Sequence, residues 1–303
     1  MNKIIRIIPP SVTIFNRDEK PDYAGCKKVI EFLIAGGVDG ILVLGSSGEF
    51  TALSRQDKRD FFQFYAETVA GRVKLYAGTA CPDFQDTVAL SNDVVAMGYE
   101  GAMVIGPYYY ALDQGKIFTF YDTLAKRMNG GKLFIYNFPA RSGHSVAPET
   151  LRKLLEANSN IAGLKDSVTE PTHTNLLCIA ARGYPFEIYS GFDDQYLANI
   201  ASGGAGCIGG LANLVPEIWS DLISATREKN FDRTFAVAHL IHRLMPLYNM
   251  DCNFSYLFKR LMVHRGLDVD PRAIFPYSQL DDATCDRAAA ILDEVIADYK
   301  KLA

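Results

Sequence analysis

Short, almost unbroken apolar runs recur along this chain, and between them apolar residues return every three or four positions. Those two periods separate strand from helix. Ile4–Ile8, Gly40–Leu44, Lys74–Ala77, Ala102–Ile105, Lys132–Asn137, Ile161–Lys165, Phe186–Ser190 and Gly206–Gly209 read as strands. Ala24–Ala35, Arg55–Val69, Thr87–Met97, Gly115–Arg127 and Pro148–Glu156 carry the helical spacing, with glycines such as Gly36-Gly37, Gly71 and Gly98 at the junctions. Apolar strands alternating with helices predict an all-parallel sheet covered by helices. About eight such units in roughly 220 residues is the arithmetic of a (β/α)8 TIM barrel, an α/β fold. A doubly wound sheet is the competing architecture, but no GxGxxG follows the first strand. From about Val215 the strands stop, and helical spacing fills Pro216–Lys229, Phe231–Tyr248, Phe254–His264 and Asp281–Lys301. The expected organisation is a barrel over residues 1–229 and a small helical C-terminal extension over 230–303.

In the sixth run, Ile161-Ala162-Gly163-Leu164-Lys165-Asp166-Ser167, a lysine stands at the carboxyl end of an apolar strand. Alternation places Ile161, Gly163 and Lys165 on one face. This segment alone leaves two readings open. Lys165 can snorkel out at the strand end. Alternatively it faces the interior, where desolvation favours the neutral amine, which can attack a carbonyl and form an imine.

Other unusual segments fall at the same barrel edge, where function collects. After the second strand comes Gly45-Ser46-Ser47-Gly48-Glu49, whose glycines admit a ligand and whose hydroxyls and amides can grip a carboxylate. The same letters also fit an ordinary turn or a weak phosphate cradle. After the fourth comes Gly106-Pro107-Tyr108-Tyr109-Tyr110, aromatics that suit a subunit interface equally well. The fifth ends Tyr136-Asn137-Phe138-Pro139-Ala140-Arg141, a phenol at the strand end with a guanidinium above it. The seventh gives Ser190-Gly191-Phe192-Asp193-Asp194, and the eighth Gly206-Cys207-Ile208-Gly209.

Taken in order, GSSGE, PYY, YNFP and GLKD make the chain resemble the pyruvate-dependent class I aldolase family. That family contains dihydrodipicolinate synthase, N-acetylneuraminate lyase and the 2-keto-3-deoxy-sugar-acid aldolases. The likeness runs from Pro10-Ser11-Val12-Thr13 through the helical C-terminus. It implies that Lys165 is a Schiff-base lysine and that Tyr136 shuttles a proton to and from the substrate hydroxyl. Ser46 and Ser47 match the pair that binds the pyruvate carboxylate, where the family more often has threonine. Tyr109 matches a tyrosine that crosses a dimer interface to complete a hydroxyl relay, and Ser46 counts with it among the catalytic groups. Ile208 matches a residue whose backbone carbonyl lines the pyruvate pocket. For the second substrate the resemblance points two ways. Arg141 aligns with the arginine that dihydrodipicolinate synthase uses to hold a semialdehyde carboxylate. Gly191, Asp193 and Asp194 match a glycine–aromatic–acid pattern whose carboxylates accept hydrogen bonds from polyol hydroxyls. A buried arginine is costly without an anion, so Arg141 is expected against a substrate carboxylate or one of these aspartates.

The resemblance therefore implies a cofactor-independent lyase that reversibly cleaves a 2-keto-3-deoxy sugar acid to pyruvate and an aldehyde, working as a dimer of dimers. Its rivals are a 4-hydroxy-tetrahydrodipicolinate synthase, which condenses pyruvate with aspartate semialdehyde, and a dehydratase using the same imine. A ligand-binding barrel that has lost catalysis is the rival outside enzymes. Composition acts by exclusion. With 22% charged residues, a formal net charge of -4 and no basic stripe, the chain offers nucleic acid no electrostatic partner. No apolar run approaches the ~20 residues of a membrane span. Six scattered cysteines without a CxxC pair read as reduced thiols, and the Met1–Arg6 opening is too short for a signal peptide, so a cytoplasmic location is expected. His239 and His242 have a zinc-compatible spacing, but no third ligand stands at a matching position, and no metal is expected.

Overall fold

A computed structural model describes residues 4–302, so Met1–Lys3 of the opening run lie outside the described residues. The strands are β1 (Arg6–Ile7), β2 (Gly40–Val43), β3 (Lys74–Gly78), β4 (Gly101–Ile105), β5 (Leu133–Asn137), β6 (Ile161–Asp166), β7 (Glu187–Ser190) and β8 (Gly206–Cys207). They follow one another in the order β1-β8-β7-β6-β5-β4-β3-β2 with helices alternating between them, the nearly closed (β/α)8 barrel that the hydrophobic pattern predicts. The helices are α1 (Tyr23–Ala35), α2 (Arg55–Val69), α3 (Phe84–Ala96), α4 (Gln114–Arg127), α5 (Pro139–Ser142) and α6 (Pro148–Ala157). They continue with α7 (Pro171–Ala180), α8 (Tyr196–Ser202), α9 (Pro216–Arg227), α10 (Phe231–Arg243), α11 (Phe254–His264) and α12 (Asp282–Lys301). Their starts are written locally. The side chains of Ser54, Asp83 and Asp113 accept the otherwise unpaired N–H groups of Asp57, Asp86 and Lys116. Pro148, Pro171 and Pro216 open α6, α7 and α9, where a missing N–H costs nothing. None of the helices described is long and apolar enough to cross a membrane.

The chain divides into two compact units. One takes Lys74–Ile208 with the chain up to Arg6; the other takes Ile7–Val73 and the chain from Gly209 on. In the first unit the interior is filled by a few large rings. Phe134 of β5 lies between two glycines on the adjoining strands. A Cβ on Gly101 would come within 2.7 Å of its ring, and a Cβ on Gly163 within 2.5 Å. The ring also meets Tyr76 edge-on, with centroids 5.2 Å apart. A polar cluster joins this layer: the Arg6 guanidinium donates to Glu187 Oε2 at 3.1 Å, to the Tyr189 hydroxyl at 3.2 Å and to the Tyr76 hydroxyl at 3.4 Å. Tyr189 also donates to Glu187 at 2.6 Å. Burial pushes the Tyr76 and Tyr189 phenols above their ordinary range, so both stay neutral.

In the second unit, Pro9 and Pro10 have no N–H to offer, and β1 stops before them. The chain nonetheless pairs onward through a parallel bridge between Pro10 and Leu42. Asn213 donates to the Pro10 carbonyl at 3.0 Å, and Trp219 of α9 is fully buried.

Candidate active site

Strand register sets the centre of the site. Tyr136 at the end of β5 stands opposite Lys165 on β6, which in turn stands opposite Tyr189 on β7. Lys165 is only 4% exposed, and its Nζ lies 4.3 Å from the centroid of the Tyr136 ring. The side chain is buried and does not snorkel into solvent. The row beneath it differs from simple alternation. The β5–β6 register shifts between Leu133 and Phe134, so that Leu133 faces Ile161 while Phe134 faces Gly163. This bulge at Ala162 takes Ile161 out of the row that Gly163 and Lys165 share.

Beyond the strand ends, backbone bonds stagger around the same edge. The carbonyl of Asn137 accepts the N–H of Ser167 at 2.8 Å, that of Asp166 accepts Gly191 at 2.7 Å, and that of Ser190 accepts Ile208 at 2.9 Å. Ser167, Gly191 and the fully buried Ile208 are thereby fixed one after another. Gly191 is required by crowding: a Cβ there would sit 1.9 Å from Ser167 Oγ and 2.8 Å from its Cβ.

The next residue on each central strand faces outward. Asn137 and Asp166 stand in register, and Asn137 Nδ2 donates to Asp166 Oδ1 at 2.7 Å. The other carboxylate oxygen accepts from Thr174 Oγ1 at 2.7 Å and from His173 Nδ1 at 2.9 Å, both on α7. That bond with the fully buried Asp166 raises the pKa of His173 above its ordinary value, against the pull of burial.

An aromatic strip flanks Lys165. The Tyr136 and Phe138 rings stack at 5.7 Å, and Phe138 meets Phe192 edge-on at 6.3 Å. Arg141 lies over Phe138 at 5.9 Å. It is exposed rather than buried, because α5 lifts it onto the rim of the loop, so the expectation of a desolvated guanidinium does not hold. The two aspartates part company: Asp193 is buried at the start of a 3-10 turn, and Asp194 is exposed. Lys165, Asp193 and Asp194 all act electrostatically on the buried Cys207 thiol, which burial itself pushes well above its ordinary pKa. Tyr109 is 89% exposed and holds a left-handed φ of 87°, a strained setting for a non-glycine residue.

In the second unit, Ser46 and Ser47 begin a 3-10 turn, with Ser47 buried and Ser46 half-buried. The turn ends on Glu49, whose φ of 54° is also left-handed. The Glu49 carboxylate anchors it. Oε1 accepts from Lys259 Nζ of α11 at 2.6 Å, and Oε2 accepts from the Ile274 N–H at 3.0 Å. Lys259 is fully buried and also donates to the carbonyls of Arg272 at 2.7 Å and Thr13 at 3.1 Å. His239 and His242 sit on α10, and among the described residues no group of three or more potential ligands could hold a metal ion.

Two side chains with several polar partners were not visible in the sequence reading: His173 and Lys259. Alternation along β6 puts Asp166 outside, facing the helix that follows, and a histidine in the first turn of that helix was the available signal for the first. Lys259 carries none, since 210 residues separate it from Glu49.

Comparison with known proteins identifies the family. The dihydrodipicolinate synthetase family matches residues 3–295. YagE of Escherichia coli K12, provisionally assigned as a 2-dehydro-3-deoxy-D-gluconate aldolase, is 28% identical over 95% of this chain and 96% of its own length. Its crystal structure, in complex with pyruvate, superposes with a TM-score of 0.92, covering 96% of this chain and 98% of that one. YjhH of the same organism, provisionally a 2-dehydro-3-deoxy-D-pentonate aldolase, is 29% identical over 96% of this chain and 97% of its own length. A 4-hydroxy-tetrahydrodipicolinate synthase of Kosmotoga olearia is 32% identical over 75% of this chain and 76% of its own length.

Proposed function

Because the chain belongs to the dihydrodipicolinate synthetase family, we propose that it is a pyruvate-dependent class I aldolase that reversibly cleaves a 2-keto-3-deoxy sugar acid to pyruvate and an aldehyde. The observation that carries the reading is the buried Lys165 amine, 4.3 Å from the centroid of the Tyr136 ring. The amine attacks C2 of the keto acid, and loss of water leaves a protonated imine. Tyr136 takes the proton of the C4 hydroxyl. The C3–C4 electron pair then moves into the imine as the bond breaks, which releases the aldehyde and leaves an enamine. Protonation at C3 and hydrolysis return pyruvate and free Lys165. Ser46 and Ser47 hold the substrate carboxylate, Ile208 lines the pyruvate pocket, and Gly191, Asp193 and Asp194 meet the polyol. The exposed Tyr109 completes the relay of a neighbouring subunit in a homo-oligomer; a fully active monomer in light scattering overturns that part.

Two names support the sugar-acid acceptor, since YagE and YjhH are both assigned to 2-dehydro-3-deoxy sugar acids. A second reading, condensation of pyruvate with aspartate semialdehyde, is favoured by the presence of Arg141 and by the Kosmotoga synthase. Borohydride with pyruvate should add one pyruvyl-derived mass to Lys165 and inactivate the protein. Absence of the adduct, or its appearance on another lysine, overturns the mechanism. Turnover of glyceraldehyde, glycolaldehyde and aspartate semialdehyde then separates the acceptors.

A further inference from the structure

Behind the inner face of β5 and β6, a ring of side-chain bonds closes on itself. Asn137 Nδ2 donates to Asp166 at 2.7 Å; Asp166 accepts from His173 Nδ1 at 2.9 Å; His173 Nε2 lies 3.1 Å from the Val146 carbonyl; and the Val146 N–H donates back to Asn137 Oδ1 at 2.9 Å. A carboxylate and a carbonyl can only accept, so the ring is complete only when both imidazole nitrogens carry hydrogen. The neutral imidazole has one such hydrogen and leaves one of these two bonds unmade. Ser145 Oγ, 3.3 Å from Nε2, can then turn its hydroxyl toward the bare nitrogen, which breaks the closure at Val146.

Two members of this ring stand beside residues of the site. Asn137 follows Tyr136, and Asp166 follows Lys165. In a strand the side chain one residue on points to the opposite face, so a clamp outside sets what is presented inside. We propose that His173, as an imidazolium, is a positioning residue that holds Tyr136 and Lys165 in their mutual geometry by closing the outer ring. This inference rests on the imine reading of Lys165. Among the groups acting on the imidazole, Asp166 of β6 is the charged one; Val146 and Ser145, from the segment after α5, contribute a carbonyl and a hydroxyl that do not titrate. The raised pKa of His173 has the sign this role requires: the charged ring is present at lower pH and is lost as pH rises through that raised value.

The test uses pyruvate in deuterium oxide. Imine and enamine formation washes deuterium into C3 without any aldehyde, so the exchange rate reports the Lys165–Tyr136 site alone. His173→Asn keeps an amide N–H where Nδ1 stands and places nothing at Nε2, so it imitates the neutral ring. Other ionisations cancel in the ratio of wild-type to variant rates. That ratio should be about 10-fold or more near pH 6 and should fall toward one as His173 deprotonates. A ratio that stays constant with pH, or equals one throughout, overturns the proposal. Nitrogen-15 spectra of the wild-type imidazole give a second measurement that needs no variant. Both ring nitrogens should be protonated at pH 6, below the ordinary imidazole value from which His173 is raised, and a neutral ring there overturns the proposal as well. Borohydride trapping with pyruvate separates the two levels. Equal trapping at Lys165 in both proteins with a flat ratio removes only the positioning role. No trapping in wild type removes the imine reading and this inference with it.

Discussion

Lys259→Met should destabilise the protein more than any surface change, and the structure sets the scale. Lys259 has no solvent contact, and its ammonium makes three short bonds, to Glu49 and to the carbonyls of Arg272 and Thr13. Burial pulls its pKa down, and Glu49 opposes that pull. Methionine fills most of the same volume and removes the charge, leaving a carboxylate that is 3% exposed with the Ile274 N–H as its chief partner. Breaking a buried pair from one side costs about 3–5 kcal/mol. An unfolding entropy of about 2.1 cal/mol/K per residue over 303 residues is about 0.6 kcal/mol/K, so Tm should fall by about 5–8 °C. Adding Glu49→Gln removes the stranded charge and should recover about half of the loss or more. Calorimetry on the two single variants and the double closes the cycle. A loss of less than about 1 kcal/mol in Lys259→Met, or a double variant that melts no higher than Lys259→Met alone, would deny the buried pair this weight. If Ser46 and Ser47 hold the substrate carboxylate as proposed, the KM for pyruvate should rise with the single variant, because Glu49 ends the turn that carries them.

Three further outcomes follow from the geometry. Tyr136→Phe should still be trapped on Lys165 by borohydride and pyruvate while turnover falls by about 10²–10⁴-fold, and turnover within a few-fold of wild type would place the proton shuttle elsewhere. Gly191→Ala should cost about 1–3 kcal/mol in urea unfolding. Adding Ser167→Ala should not rescue it, because Ser167 Cβ and Cα remain at 2.8 and 2.9 Å from the new methyl; a full rescue would contradict the backbone crowding. In the native protein, iodoacetamide should modify exposed Cys252 first and leave Cys207 and Cys26 untouched until unfolding. The Cys26 thiol is buried and pushed up to about 12; rapid native labelling of it, seen by mass spectrometry, would deny that burial.

How much of this was legible depended on the range of the interaction. Arg55–Val69 and Phe254–His264 form the helices read from periodicity, with caps at Ser54 and Asn253 that lie next to them in sequence. The helix read from Thr87 begins three residues earlier, at Phe84, since Asp83 caps a first turn in which Gln85 and Asp86 interrupt the apolar spacing. Phe231–Tyr248 is not one helix. Pro246 has no N–H to continue the ladder, and α10 gives way to a 3-10 turn over Met245–Asn249. At the site, Lys165 and Tyr136 were visible because a motif marks both and strand alternation marks Lys165. The partners that hold their neighbours were not, because His173 acts through a fold that first has to bring α7 against β6. The misjudged burial of Arg141 has the same root: strand alternation says nothing about a side chain lifted on a helical turn beyond the strand.

The Arg6 cluster bears on how the chain is made. Arg6 reaches Glu187 across 181 residues of sequence, and its backbone N–H pairs with Ala205 at 2.9 Å. At about 5–20 residues per second of synthesis, the first strand waits roughly 10–40 s for its partners to leave the ribosome. During that interval it has a cation where an inward-facing strand would ordinarily carry an apolar side chain. A charged edge resists pairing with foreign strands. The residue that later joins the interior layer thus keeps this strand charged until β7 and β8 exist to receive it.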